Sequence, residues 1–207
     1  MIIILDPGST HMGKLEYAIE LVDLAVSAGA DYIKWQLGTD KPNVPFNLEW
    51  WPFLKDRCGD KIGMFASFFN TESFDFLMEQ KVPYIKFAYS QNHRNILMDR
   101  CVKAGQKMIV SCDFMTKNIP TEAVRLFCIP EYPVPYQVCF DGIFDRFDGF
   151  SDHTVGYRQS FSAMKEGAEY LEKHFTIDHD DVDCPDSRFA MSPAETHTMI
   201  RLMNGDI

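Results

Sequence analysis

No two cysteines in this sequence stand three residues apart, and no apolar run approaches the roughly 20 residues that span a bilayer. The first absence removes zinc-ribbon and thioredoxin-like readings. The second removes a membrane-spanning helix. Positive charge is also scarce: 20 Lys and Arg face 30 Asp and Glu, a net charge of -10. An acidic surface repels nucleic acid and anionic lipid, so neither is expected as a partner. Repeats, low-complexity tracts and interdomain linkers are missing too, and the expectation is a single domain over residues 1–207. Apolar residues at 46% and charged residues at 24% describe a globular chain rather than a disordered one. The apolar start Met1–Leu5 is too short for a signal peptide, and Asp6 ends it. Cys112 and Cys128 lie in apolar runs and read as small buried hydrophobes. These features lead us to expect a reducing, cytoplasmic setting.

What is present is an alternation. Short β-rich runs are separated by segments of helical period, the mark of parallel βα units. Strands are expected at Ile2–Leu5, Tyr32–Gln36, Met64–Phe68, Tyr84–Phe87, Lys107–Cys112, Val124–Cys128, Gly149–Ser151 and Tyr170–Phe175. Helices are expected at Lys14–Ala28, Thr71–Gln80, Asn92–Ala104, Arg158–Glu166 and Pro193–Met203, the last capped by Ser192. Eight strands suggest a compact (β/α)8 TIM barrel with some shortened helices, although an open doubly wound sheet satisfies the same pattern. Little room remains for a helix at Lys117–Thr121. The segment Asn47–Cys58 carries Trp50 and Trp51, which either mark an interface or cap the barrel.

Two pairs of residues are out of place in such strands. Lys34 and Lys86 sit inside strands whose two faces are both buried in a barrel. A buried ammonium must meet a carboxylate, here Asp6 or Glu172, or a bound anion. A small molecule bearing both a phosphate and a carboxylate would satisfy both lysines. His153 follows the seventh strand, and His174 ends the eighth. Strand parity puts Glu172 and His174 on one face and Lys173 on the other. Neighbouring strands let the two imidazoles reach one transition-metal ion; the alternative is two unrelated hydrogen-bonded histidines.

These residues fall into a recognisable order. Gly8-Ser9-Thr10-His11-x-Gly13, Ala28-Gly29-Ala30-Asp31-x-x-Lys34-x-Gln36 and Lys86-Phe87-Ala88 come first. Val110-Ser111, Met115-Thr116, Tyr132-Pro133, Asp152-His153-Thr154-x-Gly156, Glu172-Lys173-His174-Phe175-Thr176, Pro185-Asp186 and Ser192-Pro193-x-Glu195 follow. The set is colinear over nearly the whole chain. It resembles the N-acetylneuraminate (sialic acid) synthase family, the NeuB-like barrels.

The resemblance implies an enzyme that condenses phosphoenolpyruvate with an N-acyl amino-sugar aldehyde, releases phosphate and forms a nonulosonic acid. It implies phosphoenolpyruvate contacts at Lys34, Lys86, Ser111 and Ser151, with Ser67 near a further one. His153 and His174 match metal ligands, for Mn²⁺ first and Mg²⁺ or Co²⁺ as alternatives. Gln36, Tyr132 and Asp186 match residues of the sugar site. Asp6 and Glu172 are the candidate catalytic carboxylates, with His174 and Asp186 beside them. Departures fall mainly on the sugar side. Asp6 is one methylene shorter than the family's glutamate, and Thr10 and Met12 replace two asparagines. Tyr89 replaces a serine. Ile129-Pro130 replaces Thr-Asn, Gln91 an acidic residue and Ser187 a histidine. The family's C-terminal antifreeze-like domain is expected to be lacking here. A homo-oligomer, or a separate partner that supplies the domain, is expected. Rival expectations are a legionaminate, pseudaminate or 3-deoxy-octulosonate type of synthase, and an inactive barrel acting as a binding subunit.

Overall fold

The structure, a computed structural model, describes residues 1–39, 45–180 and 183–206. Eight strands run in parallel and close in chain order: β1 (Ile2–Asp6), β2 (Tyr32–Leu37), β3 (Gly63–Phe68), β4 (Ile85–Phe87), β5 (Met108–Cys112), β6 (Val124–Cys128), β7 (Gly149–Asp152) and β8 (Tyr170–His174). β1 pairs with both β2 and β8, so the sheet has no free edge. The expected (β/α)8 barrel is the observed fold. The open sheet is excluded by the β1–β8 ladder, which joins Ile2 to Tyr170 through Asp6 to His174.

Among the described residues six α-helices coat the barrel: α1 (Leu15–Ala28), α2 (Trp51–Cys58), α3 (Thr71–Gln80), α4 (Asn95–Ala104), α5 (Arg158–Lys165) and α6 (Pro193–Asn204). In α1, Ala18, Leu21, Val22, Ala25 and Ala28 form the buried stripe, and Gly29 stops the helix with φ 85°. α6 begins with a capping box in which Ser192 and Glu195 exchange hydrogen bonds, and it lies against α1 and α5. None of the described helices is long and apolar enough to cross a membrane.

One expectation needs correction. The helix expected from Asn92 starts at Asn95. Tyr89–Gln91 makes a separate 3₁₀ turn, and Arg94 leaves the helical region at ψ 60°. The Asn92 side chain spends its amide on the Ser111 carbonyl at 3.2 Å, a local bond that competes with helix formation. Of the two readings left open for Trp50 and Trp51, the cap is the one formed. Trp51 is buried, its ring edge-on to Phe76 at 5.5 Å, and half-buried Trp50 packs on His11 and Phe46. They cap the barrel through their own chain.

The β5–β6 connection has no helix and β6–β7 has only the 3₁₀ turn Ile143–Asp145. Phenylalanines cover the wall there: Phe114, Phe127 and Phe147 stand in mutual edge and tilted contact at 5.1–5.8 Å. Where the wall is tightest no side chain fits. A methyl group on Gly149 would overlap the Tyr170 carbonyl oxygen of the neighbouring strand. Gly149→Ala is therefore expected to destabilise the barrel by roughly 1–3 kcal/mol, read as a lowered urea midpoint with an unchanged slope.

Candidate active site

A cavity of about 510 Å³ opens at the carboxyl ends of the strands. That is the end on which (β/α)8 enzymes build their sites. Register explains what reaches it. In parallel strands every second side chain points inward. Asp6 is level with His174 across β1 and β8. Gln36 is level with Ser67, and Ser67 with Lys86, across β2, β3 and β4. Cys128, Ser151 and Glu172 stand in one row across β6, β7 and β8. Ser111 enters from β5, His153 from the turn after β7, Tyr132 from the β6 loop and Asp186 from the loop after β8. All twelve candidate residues line this one cavity.

Its floor is ionic. The Lys34 ammonium lies 2.6 Å from Asp6 Oδ2 and 3.4 Å from Glu172 Oε1. Lys86 lies 3.3 Å from the same Glu172 oxygen and donates to Ser111 Oγ at 2.6 Å. Ser151 Oγ donates to Glu172 Oε1 at 3.0 Å, while Glu172 Oε2 is buried with no hydrogen-bond partner. The internal ion pairs considered from the sequence are thus formed, and they face open space rather than sealed core.

The two lysines share Glu172 yet titrate in opposite directions. Burial opposes the charge of each. Lys34 has two carboxylates, which outweigh burial and push it up. Lys86 has one carboxylate and Lys34 as a like-charged neighbour, so burial prevails and pushes it down. Burial also opposes the Glu172 charge, but Lys34, Lys86 and the Ser151 hydroxyl hold the carboxyl down to about 2.

Histidines form the wall above. The His153 and His174 rings are 5.9 Å apart at 43°. His153 Nδ1 lies 3.1 Å from the Ile129 carbonyl. A carbonyl only accepts, so Nδ1 carries the proton and Nε2 keeps its lone pair. Burial, then the nearby His174, brings His153 down to about 4, leaving it neutral at pH 7. His174 Nε2 is 3.5 Å from Asp6 Oδ2, and its Nδ1 is buried without a hydrogen-bond partner. Gly8, at φ 56°, passes so close that a Cβ there would lie 2.8 Å from the His174 ring. Next to it, the Ser9 amide and hydroxyl both donate to Asp186 Oδ2 at 2.7 Å. Among the described residues no three His, Cys, Asp or Glu side chains gather as a metal cluster.

The rim is apolar and partly new. Phe189 stands edge-on to His174 at 5.1 Å and packs on Tyr132, whose ring lies over His153 at 4.0 Å. Phe69 and Pro130 join it. Neither Phe69 nor Phe189 was signalled, because both sit in loops without periodicity. Cys128 is buried as expected, and it also lines the cavity, with Sγ 4.0 Å from His153 Nδ1. Tyr89 lines the cavity and donates to Asp113 at 2.7 Å. Gln91 and Ser187 are buried outside it.

The NeuB family model matches residues 41–205. The chain belongs to the NeuB family. One relative, the N,N'-diacetyllegionaminic acid synthase of Campylobacter jejuni, is 25% identical over 94% of this chain and 72% of its own. The solved structure of spore coat polysaccharide biosynthesis protein SpsE from Bacillus subtilis superposes with a TM-score of 0.82 at 25% identity, covering 99% of this chain and 67% of that one. A sialic acid synthetase from Leptospira borgpetersenii, solved with citrate, superposes equally well at 24% identity over 99% of this chain and 82% of its own. The last likeness concerns the fold of this NeuB-family chain.

Glu172 provides a pH test of the floor. Its folded pKa, about 2, lies below its ordinary 4.5. A depressed carboxyl adds stability above the unfolded value and loses it as pH falls through the folded one. Urea midpoints are expected to drop between about pH 4.5 and pH 2, and Glu172→Gln to flatten that arm. At pH 7 the variant is expected to lose roughly 3–5 kcal/mol, because two buried ammonium groups are left with one carboxylate. An equally steep acid arm in the variant would refute the assignment.

Proposed function

We propose that this chain is a sugar acid synthase that joins phosphoenolpyruvate to the aldehyde of an open-chain N-acyl amino sugar, with release of phosphate. The observation that carries the reading is the convergence of Lys34 and Lys86 with His153 and His174 in one cavity. Membership of the NeuB family, the colinear motifs and the legionaminic acid synthase relative support it.

Charge supports it further. In the free protein Asp6 and Glu172 already balance the two lysines. Phosphoenolpyruvate brings at least two negative charges, so its binding calls for added positive charge at the same rim. His153 and His174 fit a divalent ion, Mn²⁺ first and Mg²⁺ or Co²⁺ next, with water or reactant filling the other positions. His153 offers a neutral ring with a free Nε2 lone pair, and His174 a buried nitrogen without a partner. When bound, such an ion withdraws electron density from the aldehyde oxygen.

The remaining work falls to the chain. Lys34 and Lys86 hold the carboxylate and phosphate, and Ser67, Ser111 and Ser151 donate to their oxygens. C3 of phosphoenolpyruvate attacks the aldehyde carbon, a carbon–carbon bond forms and the aldehyde oxygen takes a proton. Water then adds at C2 and gives its proton to Asp6 or Glu172. The C2–O bond to phosphate breaks, leaving a keto group. Gln36, Tyr132 and Asp186 face the acceptor, and Phe69 and Phe189 offer apolar faces to its acyl groups.

The deciding assay measures phosphate release with phosphoenolpyruvate, Mn²⁺ and a panel of acceptors for sialic, legionaminic, pseudaminic and octulosonic products. Turnover with one N-acyl sugar is expected. Silence across the panel, with phosphoenolpyruvate still bound in calorimetry, would favour an inactive binding barrel. Silence with no binding would overturn the proposal. Lys34→Met and Lys86→Met are each expected to weaken phosphoenolpyruvate binding at least about 30-fold in the same calorimeter, the loss of one charge-assisted contact of about 2 kcal/mol.

A further inference from the structure

Two motif residues remain without a role: Asp152, before His153, and Lys173, before His174. They are register partners across β7 and β8. Parity turns both outward, behind the barrel wall, where their side chains are fully buried. Asp152 Oδ2 is 3.4 Å from the Lys173 ammonium and accepts from Ser160 Oγ of α5. Oδ1 accepts from the Thr154 amide at 2.8 Å and the Thr154 hydroxyl at 2.7 Å. Lys173 also donates to the Thr154 carbonyl. The turn that carries His153 is therefore tied at both ends to one ion pair, and that pair is tied to the strand residue preceding His174.

Stability does not account for this choice. A buried ion pair usually gains little over apolar residues of similar volume. One step earlier on the same outer face, Phe150 and Leu171 form the register pair, and both are fully buried. The layer changes from apolar to ionic only where the wall begins to present histidines.

We propose that the Asp152–Lys173 pair, with Ser160 and Thr154, is a positioning device that fixes the backbone under His153 and His174 so that their rings face each other. The pair touches no reactant and acts through the two imidazoles. The inference rests on reading those imidazoles as metal ligands, and its test includes a metal-free arm. The full-length chain would carry Asp152→Asn with Lys173→Met, which neutralises both charges and keeps an acceptor for Thr154. Thermal melting is expected to stay within a few degrees of the parent. Mn²⁺ affinity by calorimetry is expected to fall roughly 10–100-fold, the range seen when residues that orient metal ligands are lost. In metal-free protein the imidazole ¹⁵N resonances of His153 and His174 are expected to shift while that of His93 stays. A folded variant whose His153 and His174 resonances match the parent overturns the proposal, whatever its metal affinity. Should the double variant fail to fold, Ser160→Ala is read by the same criterion, since it removes one hydrogen bond and keeps both charges. Absence of Mn²⁺ binding by the parent would count against the metal reading alone, and the resonances would still decide the positioning role.

Discussion

Two ammonium groups held inside a closed barrel set the terms for everything around them. Lys34 and Lys86 have little access to bulk water. Their charge is sustained by Asp6, Glu172, Ser111 and Ser151, each delivered by a different strand end. Such an arrangement is costly in a core and cheap to remove by substitution. Its persistence at the floor of a cavity makes sense when a ligand completes it. Because the floor is balanced without a ligand, under the reading proposed above it gains from a dianion only if further positive charge arrives, which would link the lysines to the histidine wall in one electrostatic unit.

That unit also explains the uneven departures from the NeuB pattern. Groups at the floor constrain one another through shared partners: Glu172 serves both lysines and Ser151 at once. Changing one unbalances the rest. Rim residues such as Phe69, Pro130 and Phe189 touch the cavity through apolar faces and are not bound into that balance. Rim side chains can therefore change with less consequence for that balance than floor ones.

The sequence made the barrel legible because alternation is a local signal: most strands lie within one residue of expectation, and Gly29 and Ser192 marked helix ends by conformation and capping. Lys34, Lys86, His153 and His174 were legible because charge and imidazole are anomalous on buried strand faces, whereas Gln36, Tyr132, Asp186 and the three serines were pointed to only by the family resemblance. What escaped has no such local mark. The start of α4 was set by a side-chain bond from Asn92 to another strand. Trp51 is buried by Phe76, a residue of the next helix, which spacing does not connect to it. Phe69 and Phe189 lie in loops, where composition says nothing about direction. Asp152 and Lys173 were seen as motif letters, and only register revealed that they face each other.

The contact between the loops after β1 and β8 has a consequence for synthesis. Gly8 lies against His174, and Ser9 is bound to Asp186, 177 positions away along the chain. A ribosome makes the Ser9 loop long before it reaches Asp186. Through most of the synthesis of the barrel the nascent chain therefore holds Asp6, Ser9 and Lys34 without the wall that orders them, and no partial barrel displays a finished pocket. Non-local closure of this kind slows folding. It also means that appearance of the cavity reports completion of the whole barrel rather than of any segment.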